Sequence, residues 1–205
     1  MVSQKTIARL SLYRRLLQEV AAKGTKNIYS HQMAAIAGTT AAQVRRDWMV
    51  IGYVGSPAHG YRVLDVIDAI GKFLDSAVEQ KVALVGIGNL GRAILVYFTG
   101  RRPNLNITAA FDVDPHKTNR VIHGCRCYPK EQLKEVVIAN DIKIAIIAVP
   151  AAEAQYVADS LIAAGVRGLL NFAPAPLRVP PSVFVEDIDL TMSLEKVAYF
   201  ARQSI

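Results

Sequence analysis

Glycines at positions 86, 88 and 91, in Gly86-Ile87-Gly88-Asn89-Leu90-Gly91, leave room for a main-chain turn to close around a phosphate. The first permits a tight turn, the second lets a pyrophosphate approach the backbone, and the third lets a helix pack close to a strand. Asn89, Leu90, Gly91 and Arg92 then fall in the first helical turn, where unpaired N–H groups and the positive end of the helix dipole face an anion. Glycine-rich turns are common, so the flanks decide. Val82-Ala83-Leu84-Val85 ahead of the motif is a short, fully apolar run, as in a parallel strand buried on both faces. About twenty residues beyond it, the run 107–111 ends in Asp112, where a carboxylate accepts both ribose hydroxyls. That carboxylate repels a 2′-phosphate, so the spacing predicts NAD(H) rather than NADP(H). The competing role for Asp112 is a strand-end turn in Asp112-Val113-Asp114-Pro115.

A second set of residues faces a different anion. Residues 1–62 carry nine basic side chains (Lys5, Arg9, Arg14, Arg15, Lys23, Lys26, Arg45, Arg46, Arg62) and two acids, Glu19 and Asp47. Their balance of +7 equals that of the whole chain; the remaining 15 Lys/Arg and 15 Asp/Glu cancel. A basic module beside a neutral one suits a polyanionic partner. Thr40 caps a helix over 41–51 on which Val44, Trp48 and Ile51 share one side and Ala42, Arg45, Arg46 and Met49 the other. One exposed arginine can bond a guanine edge as a fork in the major groove, and the other can bind phosphate. Thr40, Gln43, Arg45 and Arg46 are the candidate DNA contacts.

The elements that must position these groups follow from periodicity. Ser3 caps a helix over 5–23 with Ile7, Leu10, Tyr13, Leu17 and Val20 inward, and Gly24 ends it. Ser30 caps a short helix with Met33, Ile36 and Ala37 inward, stopped by Gly38. With the helix over 41–51 this makes a helix-turn-helix. The Gly- and Pro-punctuated stretch 52–61 then suits a β-hairpin wing, with His59 and Tyr61 as further DNA contacts. A linking helix is expected over 63–80. Helices over 130–137 and 152–164 alternate with strands over 142–149, 168–170 and 183–185, and a last helix runs to about Arg202. Such alternation predicts a doubly wound parallel sheet with ligands at the carboxyl ends of its strands. Val149, Pro150, Asn171 and Phe172 therefore lie toward the nicotinamide half.

Composition closes other routes. No apolar run is long enough to span a membrane, and the first residues lack a leader's apolar segment, so a cytoplasmic location is expected. Cys125 and Cys127 form a lone C-x-C without His or Cys at ligand spacing, which argues against a metal. They are either inert reduced thiols or a redox-sensing pair.

Taken together, these segments resemble the Rex family of redox-sensing transcriptional repressors. The resemblance rests on Arg9-Leu10-Ser11-Leu12-Tyr13-Arg14-Arg15, Gln43-Val44-Arg45-Arg46-Asp47, Gly60-Tyr61, the 86–91 loop, Phe111-Asp112-Val113-Asp114, Asn171-Phe172-Ala173-Pro174 and Ile188-Asp189. It implies a homodimer on palindromic operator DNA. Each subunit would pair a winged-helix domain (1–78) with a Rossmann domain (79–187) and a swapped C-terminal helix (188–205). It implies release when NADH rises relative to NAD+, with Arg15, Tyr97 and Asp189 rearranging with the nicotinamide. Departures are Trp48-Met49-Val50-Ile51 in place of the family's Leu-Ser-Tyr-Phe, the non-basic Ser56-Pro57-Ala58-His59, and Leu190 in place of phenylalanine.

Two other readings stay open. An NAD-dependent oxidoreductase needs a substrate pocket and a proton donor. About twenty residues follow the last strand, and the candidate acids His116 and His123 lie toward the adenosine half. A CoA-binding Rossmann protein also uses a glycine loop, but Asp112 and the basic helix-turn-helix do not suit it.

Overall fold

Ser3 opens the first helix by accepting the Thr6 N–H at 3.1 Å, which satisfies one donor that a helix start leaves unpaired. The computed structural model describes residues 2–55, 59–101 and 104–203, and the chain divides between Ala77 and Val78 into two units.

In the first unit, α1 (Gln4–Ala22) buries Leu10, Tyr13 and Leu17. Ile7, expected inward, remains largely exposed. After strand β1 (Asn27–Ile28), α2 (Ser30–Ala37) starts one residue earlier than expected. Tyr29 rather than Ser30 is the cap, and its N–H donates to Gln32 Oε1 at 2.8 Å. Ile36 also turns outward. Helix α3 (Ala41–Val50) is capped by Thr40, whose Oγ1 accepts the Gln43 N–H. Tyr61 and Arg62 form β2, antiparallel to β1 with Ile28 opposite Tyr61. The expected 52–61 hairpin does not form among the described residues; residues 56–58 lie outside them. The Tyr61 ring lies 4.3 Å from that of buried Trp48, and this aromatic contact favours pairing with β1 over a free hairpin.

Helix α4 (Val63–Leu74) ends six residues before the expected boundary at 80. Buried Arg14 holds Asp75 with Nη1 at 2.7 Å from both carboxylate oxygens, and Asp75 is extended. The core of this unit gathers Leu10, Tyr13, Leu17, Ile28, Met33, Val44, Trp48, Val66 and Ile70.

The second unit is a seven-stranded sheet. Its elements are β3 (Gln80–Val85), α5 (Asn89–Phe98), β4 (Leu105–Asp112), β5 (Arg120–Ile122), β6 (Cys125–Pro129), a 3-10 turn (Lys130–Gln132) and α6 (Leu133–Ala139). They continue with β7 (Ile144–Ile147), α7 (Ala151–Ala163), β8 (Gly168–Asn171), β9 (Phe184–Asp187) and α8 (Leu190–Gln203). The strand order is β5-β6-β4-β3-β7-β8-β9. All pairings are parallel except β5 with β6. The order reverses between β3 and β7, which opens the crevice where doubly wound sheets bind ligands. Strand β3 shows why the sheet is covered twice: Ala83 and Val85 join the core under α6 and α7, and Val82 and Leu84 join the core under α5.

The β5–β6 hairpin is absent from the sequence expectation. Its turn is His123-Gly124, both with positive φ, as a two-residue turn of this hand requires. Helix α8 buries none of its residues; Leu190, Met192, Leu194, Val197, Tyr199 and Phe200 are all exposed.

Candidate functional sites

The glycine loop joins β3 to α5 as its spacing predicts. Gly88 is the helix cap, and a Cβ placed there meets nothing within 4 Å. That open side leaves room for a ligand to approach the backbone. Gly91 is the opposite case: a Cβ would fall on the Gly86 carbonyl oxygen, so only glycine lets the helix pack this close. Asn89, Leu90 and Arg92 are exposed in the same first turn, beside its unpaired N–H groups.

Asp112 ties two loops together. Its Oδ2 accepts the Ile87 N–H at 2.7 Å and its Oδ1 the Asp114 N–H at 2.9 Å. It is thus a strand-end turn residue and a wall of the crevice at once. A cavity of about 240 Å³ there is lined by Gly86, Gly88, Asp112, Val149 and Pro150, five residues taken from the sequence as ligand contacts. Lys117 and Lys130 line it too and were not anticipated. Lys117 Nζ lies 3.3 Å from Asp112 and 3.5 Å from Asp114, and its position three residues after Asp114 was the available signal. The cavity, the bare glycine and the carboxylate fit a dinucleotide.

The other predicted contacts take distinct places. Asn171 is buried and fully engaged: Nδ2 donates to the Ala175 carbonyl and to Asp187 Oδ1, and Oδ1 accepts the Ala173 N–H. Its side chain holds the 171–175 loop and the end of β9. Phe172 is half-buried against the core under α5. Tyr97 is exposed, with the Arg101 guanidinium 3.7 Å over its ring. Arg15 is exposed on α1. Asp189 Oδ1 accepts the Met192 N–H at 2.8 Å and so caps α8. His116 lies exposed in the turn after Asp114, and His123 borders a separate cavity of about 160 Å³ beside Cys125. Both cysteines are buried and form no disulfide. Burial pushes the Cys125 thiol up to about 11 and raises Cys127 as well, the reverse of what a reactive thiol needs.

On α3 the exposed face carries Ala42, Arg45, Arg46 and Met49. Arg45 Nη1 donates to Ser30 Oγ at 3.0 Å, and Arg46 Nη2 to Gln43 Oε1 at 3.1 Å. Behind them stands Asp47, 2% exposed, to which the sequence alone assigned no structural role. Arg9 grips it with Nε at 2.6 Å and Nη2 at 2.7 Å, Tyr13 donates its hydroxyl at 3.0 Å, and Gln43 Nε2 donates at 2.9 Å. Burial opposes ionisation of Asp47, yet the bonds from Arg9, Gln43 and Tyr13 together hold its pKa below the ordinary value. Burial first, and then the bond to Asp47, push Tyr13 up to about 12. The Asp47 bond also raises Arg9. Of the wing candidates, His59 is exposed, whereas Tyr61 is turned onto Trp48.

Residues 1–48 match the family described as putative DNA-binding protein N-terminus, and residues 77–175 the family described as CoA binding domain. Proteins named redox-sensing transcriptional repressor Rex are 39% identical in Listeria monocytogenes and 41% identical in Desulfitobacterium hafniense. Both alignments span 97% of this chain, and they span 93% and 94% of those proteins. The chain belongs to the Rex family of redox-sensing transcriptional repressors. The solved Rex-family repressor RSP has the same fold, with a TM-score of 0.90 at 32% identity over 100% of this chain and 96% of that one. RSP in complex with β-NAD+ and operator DNA gives 0.91, over 100% of this chain and 94% of that one. RSP with β-NADH gives 0.88 at 31% identity, over 100% and 96%. In this Rex-family chain the CoA-titled match spans the glycine loop and Asp112.

Proposed function

We propose that this chain is a homodimeric repressor that occupies a palindromic operator when NAD+ dominates and leaves it when NADH rises. The observation that carries the reading is one chain holding both a glycine-loop crevice closed by Asp112 and a helix presenting Arg45 and Arg46. In this reading the N–H groups at the start of α5, with Gly86, Gly88 and Gly91, hold the pyrophosphate, and Asp112 orients the adenosine ribose. Val149, Pro150, Phe172 and the loop that Asn171 holds border the nicotinamide, whose redox state supplies the signal. Thr40, Gln43, Arg45, Arg46 and His59 face DNA, with Tyr61 buttressing the recognition unit. The apolar face of α8 is the candidate dimer surface, and Arg15, Tyr97 and Asp189 are the candidates to rearrange with the nicotinamide.

A closed dimer would mis-space the two α3 helices for adjacent half-sites. Moving occupancy from 1:99 to 99:1 requires a preference of about 10⁴-fold, or about 5.5 kcal/mol, for the closed state on reduction. A smaller preference gives a graded response. Catalysis is not part of the reading: neither His116 nor His123 is among the residues that line the crevice. Operator DNA as partner supports a cytoplasmic location.

The test is an electrophoretic shift with a palindromic duplex. NADH should release the protein and NADPH should not; a complex indifferent to NADH overturns the reading. Turnover of NADH with simple carbonyl substrates would instead restore the oxidoreductase.

A further inference from the structure

We propose that Asp47 divides the labour of the two arginines on α3, so that Arg46 reads a base edge and Arg45 grips the DNA backbone. This rests on the operator-binding reading above and goes beyond it, because residue type and spacing leave the two arginines interchangeable.

The argument starts from hydrogen-bond polarity. An ionised carboxylate only accepts, and Asp47 is kept ionised in the core by Arg9 and Tyr13. The Gln43 amide beside it must therefore turn Nε2 inward, where it donates at 2.9 Å. Turning the amide over would set its carbonyl oxygen against a carboxylate oxygen. With Nε2 committed, Oε1 faces the solvent side of α3, and there it accepts from Arg46 Nη2 at 3.1 Å. Arg46 is thus braced through one nitrogen and keeps its other N–H groups for the O6 and N7 of a guanine. Gln43 acts as a brace in this scheme: one N–H of its amide goes to Asp47 and one lone pair of its carbonyl oxygen to Arg46.

Arg45 has no such support from Asp47. Its Nη1 reaches across to the Ser30 hydroxyl at the start of α2. Arginine and serine side chains set together serve phosphate oxygens, which fix register without reading sequence. Asp47 touches no DNA in this scheme: it is a positioning residue acting through Gln43.

The experiment measures fluorescence anisotropy on a palindromic duplex and on versions with each base pair replaced in turn, at several salt concentrations. The wild-type protein should show a G·C pair in each half-site whose replacement weakens binding roughly ten-fold or more. Arg46→Ala should erase that discrimination. Arg45→Ala should weaken every duplex alike and lower the salt slope by about one. Asp47→Asn removes the charge that fixes the Gln43 amide, so Nε2 is no longer held inward, and it should weaken the guanine preference that Arg46→Ala erases. Adding Gln43→Glu to Asp47→Asn returns an acceptor to Arg46 and should restore it. Gln43→Ala leaves the Arg9–Asp47 pair in place and serves if Asp47→Asn fails to fold; it too should lose the preference. If Asp47→Asn or Gln43→Ala weakens all duplexes equally with the preference intact, the division of labour is overturned. Wild-type protein that binds no palindrome overturns the operator reading itself.

Discussion

The glycine loop after β3 and the exposed face of α3 both suit phosphate-bearing partners, and they are made from different parts of the chain. The loop is a backbone device. Its N–H groups, its bare Gly88 and its one carboxylate all lie within 27 positions, from Gly86 to Asp112. The α3 face is a side-chain device, and the group that orders it, Asp47, is gripped from α1 by a residue 38 positions away. A backbone site is fixed once the strand and helix form. A side-chain site holds its shape only while a buried charge stays paired. The first should therefore fail through sterics and the second through electrostatics.

The sharpest break in that contrast is Arg9→Ala. It leaves Asp47 buried without its main partner, at a cost of about 3–5 kcal/mol to the first unit. Urea unfolding followed by Trp48 fluorescence should show the loss, while NADH affinity stays at the wild-type value; a parallel fall in NADH affinity would erase the distinction. Next comes Gly91→Val, which drives a side chain onto the Gly86 carbonyl. NADH binding should weaken by about 100-fold or more, about 2.7 kcal/mol, with DNA binding kept but no longer relieved by NADH.

The third test is pH. Tyr13 is raised to about 12. Its contribution is whole below the ordinary tyrosine value near 10 and is lost as pH climbs toward 12, on the order of 2 kcal/mol. Asp47 runs the other way: its pKa is depressed, so its contribution is whole above about 3.9 and is lost as pH falls through the lowered value. Urea midpoints of the first unit should thus drop at both ends. Tyr13→Phe should blunt the alkaline limb and, by removing one of the bonds that hold Asp47 low, make the acid limb shallower too. The smallest effect is Ser3→Ala, about 1 kcal/mol from the lost cap, seen as a small drop in melting temperature with both ligands still bound.

The same contrast explains what could be read from the sequence. Gly86, Gly88, Gly91 and Asp112 made the strand–turn–helix crevice legible because a Rossmann loop is local and its demands on residue type are steric. The helices with a clear apolar face, α1, α3 and α7, fell within a residue or so of their expected ends. Asp47 stayed hidden because its partners, Arg9 and Tyr13, adjoin it only after α1 packs on α3. In the 52–61 segment glycine and proline signal a turn without saying which strand it serves; Tyr61, half-buried against Trp48, pairs with Ile28 of β1. The β5–β6 hairpin carries His-Gly at its turn instead of the stronger Asn-Gly or Asp-Gly signal. Helix α4 ended early because Arg14, on another helix, holds Asp75. Lys117 went unnoticed because a lysine in a polar loop looks solvated until Asp112 and Asp114 are seen to face it.

The buried C-x-C of β6 has a consequence in time. With Cys125 near 11, about one thiol in 10⁴ is ionised at neutral pH, and thiolate is the form that peroxide attacks. The buried pair should therefore react slowly with peroxide, and the nucleotide crevice, not the thiols, would carry the redox signal.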